Sequence, residues 1–406
     1  MQLDHFALSN GIRVVHHRIP SPVAYCCLMV NAGTRDELDH EHGLAHFIEH
    51  VLFKGTKRRK AFHVMSRLED VGGELNAYTA KEETVVHATM LKDDFPRAVE
   101  LITDILFHST FPDRELQKEK DVIIDEINSY RDTPSELIFD DFEDQVYRGH
   151  PFGRNILGSK KYVKGFTRNL IQSFMERNYL TDRMVFCSIG NIPLARVKKL
   201  ADRYLGTVSP RTGGAYRVPI NGYTPSNVRV KKHTYQHHCV VGCRAYGLMH
   251  PKRVSLHLLN SLLGGPASNS RLNLSLRERN GYAYNVESSY TPYTDTGLFS
   301  IYFGTDKENF ERASEVVRRE LQRVRTKRLG LMQLHKAKRQ LLGQLAIAAE
   351  NSEVLMLNIA RSFLIHNSIK PMDELTAQVE AISASEIMDT ANEVLTPNNL
   401  STLTYY

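Results

Sequence analysis

The stretch Thr133-Pro134-Ser135-Glu136 returns as Glu350-Asn351-Ser352-Glu353, at an offset of 353 − 136 = 217 residues, and it does not return alone. In the first half, strand-like segments from Gly11 to His16 and from Ala24 to Asn31 lead into a helical pattern that begins at about Gly43. β-rich residues follow from Glu74 to Met90, and the spacing predicts amphipathic helices over Pro96 to His108 and Asp113 to Tyr130. The second half repeats that order with a strand from Cys239 to Tyr246, a helix from Arg253 to Leu263, strands within Tyr284 to Phe303, and a helix from Glu308 to Arg325. Between the halves, Ser209 to Asn227 gathers Pro210, Gly213, Gly214, Pro219, Gly222 and Pro225, the composition of a linker. A chain of 406 residues is more than one core usually serves, so the repeat resolves into two homologous domains, 1–213 and 214–406, of α+β class.

The repeat breaks where polar chemistry is concentrated. At the offset of 217, Glu126 falls opposite Gly343. The pattern His46-x-x-Glu49-His50 finds only His257-x-x-Asn260-Ser261, at the slightly different offset of 257 − 46 = 211. The second copy keeps the plan without these groups.

Within Gly43 to Phe53, helical geometry of about 100° per residue puts His50 about 40° from His46 and Glu49 about 60° to the other side. The three share one wedge among the apolar Leu44, Phe47, Ile48, Val51 and Leu52. Buried imidazoles beside a carboxylate need something to offset their desolvation. Zinc does so: two neutral histidine nitrogens and one carboxylate bind it and leave a fourth tetrahedral position for water. The carboxylate must come from elsewhere. The predicted helix from Asp113 to Tyr130 carries Glu119 and Glu126 two turns apart on one face, and either could reach a metal. His42 would share the wedge only if the helix began early, and Gly43 marks its start.

The order His-x-x-Glu-His inverts the commoner His-Glu-x-x-His. With it come Ala32-Gly33-Thr34-Arg35-Asp36-Glu37, Phe53-Lys54-Gly55-Thr56, Leu75-Asn76-Ala77-Tyr78-Thr79 and His150-Pro151-Phe152-Gly153-Arg154. On these stretches, spread from residue 32 to residue 154, the sequence resembles the pitrilysin (M16) peptidases. The resemblance implies two homologous domains, each a largely antiparallel sheet packed with helices, and a zinc-dependent endopeptidase acting on small or unfolded peptides with one zinc per chain. In that family the third ligand lies about 76 residues beyond the second histidine. Here 126 − 50 = 76, which makes Glu126 the ligand and Glu119 the acidic residue behind it. Glu49 becomes the general base for a water activated by the metal.

Leu276 to Tyr284 resembles the family's arginine-tyrosine motif, with the separation 284 − 277 = 7, although Asn280 stands where the family often has a basic residue. Tyr284 would then donate to the oxyanion and Arg277 would hold a substrate carbonyl. Asn76 and Ala77 resemble edge-strand residues that add the peptide as a further strand, and Gly264-Gly265-Pro266 matches a family glycine loop. The length looks like that of the short subgroup that includes bacterial processing-type peptidases and the mitochondrial processing peptidase β-subunit. Its members work as dimers, so the resemblance implies a homodimer whose bowl-like chains enclose a chamber. Two alternatives stay open: a non-catalytic partner subunit, which usually lacks the zinc motif complete here, and a zinc hydrolase acting on something other than peptides.

Composition narrows the setting. Residues are 42% hydrophobic and 24% charged, and the sequence contains no run of about 18 apolar residues, so no membrane partner is expected. Met1 to His5 lacks both a basic-then-apolar leader and an Arg-rich presequence, so the cytoplasm is the expected compartment. Five cysteines, Cys26, Cys27, Cys187, Cys239 and Cys243, cannot all pair within one chain and read as reduced, buried thiols. The net charge of +6 draws on Lys57-Arg58-Arg59-Lys60 and Lys231-Lys232, read as solvated loop or strand edge, and no nucleic acid partner is expected. In His237-His238-Cys239-x-x-x-Cys243 and His16-His17, adjacent histidines on a strand point to opposite faces and do not readily share an ion.

Overall fold

A computed structural model describes residues 3–213, 217–232 and 234–406. Met1 and Gln2 of the N-terminal reading and Gly214 of the linker lie outside the described residues. The first half runs through β1 (Asp4–Ala7), β2 (Arg13–Arg18), β3 (Val23–Val30), α1 (Leu44–Leu52), α2 (Ala61–Glu69), β4 (Glu74–Thr79), β5 (Thr84–Leu91), α3 (Phe95–His108), α4 (Asp113–Arg131), α5 (Pro134–Val146), α6 (Lys160–Gly165), α7 (Arg168–Asn178), β6 (Met184–Gly190) and α8 (Leu194–Tyr204). The second half runs through β7 (Asn227–Val230), β8 (His237–Ala245), α9 (Arg253–Gly264), a π-helical turn at Asn273–Glu278, β9 (Asn285–Pro292), β10 (Gly297–Thr305), α10 (Phe310–Thr326), α11 (Leu331–Glu350), α12 (Ser352–His366), α13 (Met372–Ala381), α14 (Ala384–Val394) and β11 (Ser401–Tyr405).

The strands form two sheets, ordered β1-β2-β6-β3-β5-β4 and β7-β11-β8-β10-β9. Without β1 the two orders coincide strand for strand. In each, the first strand of the repeat lies parallel to the last, β2 beside β6 and β7 beside β11. The other pairings are antiparallel. The duplication is thus a duplication of topology, and the fold is the α+β class the sequence implies: two sheets, each packed with helices.

The compact units differ from the two contiguous halves by exchanged segments. One unit comprises 1–128, 154–217 and 347–369; the other comprises 129–153, 218–346 and 370–406. Each half therefore lends a helix to the other's sheet. In the first unit α12 lays Met356, Ile359, Ala360 and Phe363 on Val15, Cys27, Met29, Val185 and Cys187 of β2, β3 and β6. In the second, α5 lays Ile138, Phe142 and Val146 on Val240 of β8 and Leu403 of β11. Thr133-Pro134 and Asn351-Ser352, the stretches that reveal the repeat, are the starts of these exchanged helices.

The central strands β3 and β6 read as nearly unbroken apolar runs because helices cover both their faces. On the face opposite α12, Cys26, Leu28 and Val30 meet α1 and α3 in the main core. All five cysteines are free and buried. Arg59 of the basic run is bound by Glu100 at 2.7 Å and Asp104 at 2.6 Å. Among the described residues no helix is long and apolar enough to cross a membrane.

Candidate metal centre

Helix α1 starts where the sequence places it, and its first turn is held from three sides. Gly43 caps it in left-handed backbone at φ +93°. A side chain there would also have its Cβ 2.6 Å from the Cα of Gly158, so both the conformation and the close approach require glycine. Glu37, fully buried, accepts the N–H groups of Gly43 at 3.0 Å and Ala45 at 2.8 Å, two of the donors a helix start leaves unpaired. Burial pushes the Glu37 carboxyl up to about 8, and those two N–H bonds pull against it. Leu44, Phe47, Ile48, Val51 and Leu52 are fully buried, which orients the opposite side of the helix.

On that side His46 and His50 stand one turn apart, with ring centroids 4.6 Å from each other. Helix α4 brings Glu126 to both: its Oε2 is 3.9 Å from Nε2 of His46 and 3.7 Å from Nε2 of His50. One ligand atom from each of the three lies within 4.8 Å of the others. These separations are too long for hydrogen bonds, and Glu126 Oε2 is buried without a hydrogen-bond partner. An oxygen desolvated between two imidazole nitrogens and bonded to neither fits a divalent cation placed among the three. Two histidines and one glutamate make the donor set of a hydrolytic zinc site.

The surroundings tune the two histidines apart. Burial drives His46 down to about 3, with His50 adding to the effect, so His46 is neutral at physiological pH. Burial acts on His50 in the same sense. There, however, the hydrogen bond to Glu119 and the charges of Glu126, Glu119 and Glu49 outweigh it and raise the pKa. Glu119 Oε1 accepts from Nδ1 of His50 at 3.0 Å, which leaves Nε2 as the nitrogen facing Glu126. Its Oε2 pairs with Lys54 Nζ at 2.8 Å. Burial favours the neutral acid at Glu119, but the bonds from His50 and Lys54 prevail and hold its pKa below the ordinary glutamate value. Glu49 is half-buried beside His50 and Glu126. Its pKa is raised by burial, against which Thr79 donates hydrogen bonds.

His42 turns away from the cluster, its Nε2 lying 3.0 Å from the carbonyl of Asn155. Asn76 and Ala77 lie on β4, which ends the six-stranded sheet, with one edge unpaired among the described residues. Arg277 and Tyr284 belong to the second unit. Arg277, in the π-helical turn, bonds Glu278 at 2.8 Å, and Tyr284 is 76% exposed. Glu37, Lys54 and Thr79 also shape the site. Each lies in one of the stretches that carry the family resemblance, but nothing in those stretches says what the side chains touch.

Comparison with known proteins places these features. Residues 13–160 match the family described as insulinase (peptidase family M16), and residues 165–341 match the peptidase M16 inactive domain. An uncharacterized zinc protease of Mycobacterium tuberculosis is 32% identical over 397 residues, which cover 96% of this chain and 90% of that one. The mitochondrial-processing peptidase subunit beta of Bos taurus is 30% identical over 399 residues, covering 96% and 81%. An uncharacterized zinc protease of Bacillus subtilis is 29% identical over 395 residues, covering 97% and 96%. Among solved structures, a protease from Helicobacter pylori superposes with a TM-score of 0.93 over 100% of this chain and 99% of its own, at 19% identity, a likeness of fold.

Proposed function

Because the chain belongs to the insulinase family of peptidases, M16, we propose that it is a zinc-dependent endopeptidase in which His46, His50 and Glu126 hold the metal and Glu49 is the general base. The observation that carries this reading is the buried Glu126 oxygen, without a hydrogen bond, between two imidazole nitrogens. Zinc held there would polarise the scissile carbonyl and acidify the attacking water toward a pKa of roughly 7. Glu49 takes the proton of that water and passes it to the departing amine, and a carboxyl whose pKa is raised by burial suits a base working near neutrality. Glu119 fixes the tautomer of His50, and Lys54 keeps Glu119 charged.

The free edge of β4 at Asn76 and Ala77 supports a peptide bound as an added strand. Main-chain pairing reads little of the side chains, so the substrate class is small or unfolded peptides. Tyr284 is proposed as a donor to the oxyanion and Arg277 as a ligand of a substrate carbonyl. The working form is proposed as a homodimer.

A quenched, unstructured peptide should be cut by the purified protein, spared after chelation and cut again when zinc is restored. Glu49→Gln should keep its zinc by elemental analysis and lose turnover; a variant that retains most of the hydrolysis rate would remove Glu49 from the role. Glu126→Ala should lose much of its zinc, and a full complement would point to Glu119 as the ligand instead.

A further inference from the structure

The positive charge of this chain is not evenly spread. Residues 310–340 hold 10 Lys and Arg against 3 Asp and Glu, a net of 10 − 3 = +7, while the whole chain totals 52 − 46 = +6. This segment includes α10, which covers one face of the second unit's sheet. Between α10 and strands β7, β11 and β8 lies a half-open cavity of about 570 Å³, a size at which proteins hold small ligands. Val241, Val317, Leu321, Leu395 and Leu400 give it an apolar floor, and Arg229, Arg318 and Arg325 line it as well.

The internal repeat shows how the cavity arises. Helices α3 and α10 correspond at an offset of 310 − 95 = 215. In the first unit the equivalent space is filled by α8, whose Val197, Leu200 and Ala201 are buried in one core with Val14 of β2 and Ile102 and Leu106 of α3. In the second unit the corresponding place beside α10 is this cavity. At the offset of 215 Ile102 and Leu106 keep apolar counterparts, Val317 and Leu321, whereas Thr103 becomes Arg318 and Phe107 becomes Gln322. A face given over to water would have lost its apolar floor. This one retains the floor and gains a cationic border.

Two arginines border the cavity from different elements. Arg325 lines it from the last turn of α10, with its Nε buried and not hydrogen-bonded. Arg229 lies over the rings of Phe310 at 5.9 Å and Tyr406 at 5.1 Å, contacts that position the guanidinium without using its N–H groups. Arg318 is shared with Glu315 at 3.3 Å. An apolar floor bordered by arginines suits a flexible amphipathic chain.

We propose that this cavity binds an amphipathic anion, a long-chain fatty acid whose hydrocarbon lies on the Val317–Leu321 floor and whose carboxylate meets Arg325 and Arg229. The full-length, zinc-loaded protein titrated with cis-parinaric acid should give saturable fluorescence at one site per chain, displaced by palmitate and far less by hexadecanol, which lacks the charge. Arg325→Ala should weaken binding about tenfold or more, the loss of a charged hydrogen bond, with peptide cleavage unchanged. Gln322→Trp, at the cavity border, should obstruct the site by bulk with the arginines intact, and the thermal transition of each variant shows whether it remains folded. Absence of saturable binding overturns the proposal. So do equal displacement by hexadecanol, Arg325→Ala binding as tightly as the parent, and binding to phosphatidylglycerol vesicles without binding of the monomeric probe.

Discussion

Acid should release zinc from this site at one decade of affinity per pH unit, where an ordinary pair of histidine ligands gives two. The asymmetry follows from the two imidazoles. His46 is driven to about 3 by burial, so in the metal-free protein it carries no proton at any pH the fold is expected to withstand. His50 is raised above the ordinary histidine value by Glu119, Glu126 and Glu49 despite its burial, so it is protonated through the mildly acidic range. Zinc must therefore expel one proton from the histidines, and binding linked to one proton changes by a factor of ten, about 1.4 kcal/mol, per pH unit. The sign is fixed by the raised pKa: the carboxylates favour imidazolium, which competes with the metal, so affinity is highest above the pKa of His50 and falls as pH drops through it. A chelator competition series from pH 7 to pH 5, corrected for the chelator's own protonation, measures the slope directly. Two decades per unit over that range would mean that both rings take up protons, and the unequal burial of the two histidines would be refuted.

Glu119→Gln removes the carboxylate that favours imidazolium at His50. The bend in the same plot should move to lower pH, while zinc affinity near neutrality falls about 10- to 100-fold through loss of the ligand's orienting partner; unchanged affinity would leave Glu119 without a positioning role. Gly43→Ala places a Cβ 2.6 Å from the Gly158 backbone at a positive φ, and the strained backbone alone costs about 1–2 kcal/mol. Urea unfolding should show at least that loss together with reduced zinc content, and a midpoint equal to the parent's would mean that the start of α1 can shift freely. Tyr284→Phe should lower kcat by about 10²-fold or more with KM little changed if its hydroxyl serves the oxyanion. Equal kcat values for variant and parent would remove it from that role.

Helical periodicity converts spacing into direction, which is why the wedge of His46, Glu49 and His50 is legible from eleven letters of sequence. The same rule stops at α4. Glu119 and Glu126 are seven residues apart and share a face, yet one meets Nδ1 of His50 and the other lies near Nε2, and that difference depends on where α4 crosses α1. The family spacing, not helix geometry, distinguishes them in the sequence. Glu37, Lys54 and Thr79 sit in a loop, a turn and a strand end, whose side-chain directions follow from tertiary packing. The exchange of α5 and α12 is hidden for a related reason. Period 3.6 announces an apolar face, and Met356, Ile359 and Phe363 form one, but nothing in their spacing says which of two sheets with the same topology will receive it.

The second copy clarifies what the first requires. In α9, His257 occupies the place of His46 and packs 4.6 Å from the ring of Tyr290. Burial lowers its pKa to about 4, and it needs no ion. The Asn260 carbonyl accepts the Ser288 hydroxyl at 3.1 Å, and a side chain at Gly264 would meet the Ser288 backbone at 2.8 Å, so α9 presses directly on β9. The counterpart of α4 differs as much. Helix α4 buries Leu116, Glu119, Ile123 and Ile127, whereas α11 buries Ala337 alone. A polar wedge on one helix is tolerable only while a second helix packs closely enough to bring the missing carboxylate, because three desolvated groups without a cation cost several kcal/mol. Where that second helix is not so packed, the wedge carries no cluster of imidazoles and carboxylates, as at His257, Asn260 and Ser261. The absence of the histidine-glutamate set from α9 and the looser packing of α11 go together, and the candidate metal site belongs to a helix pair, with the repeated sheet as its scaffold.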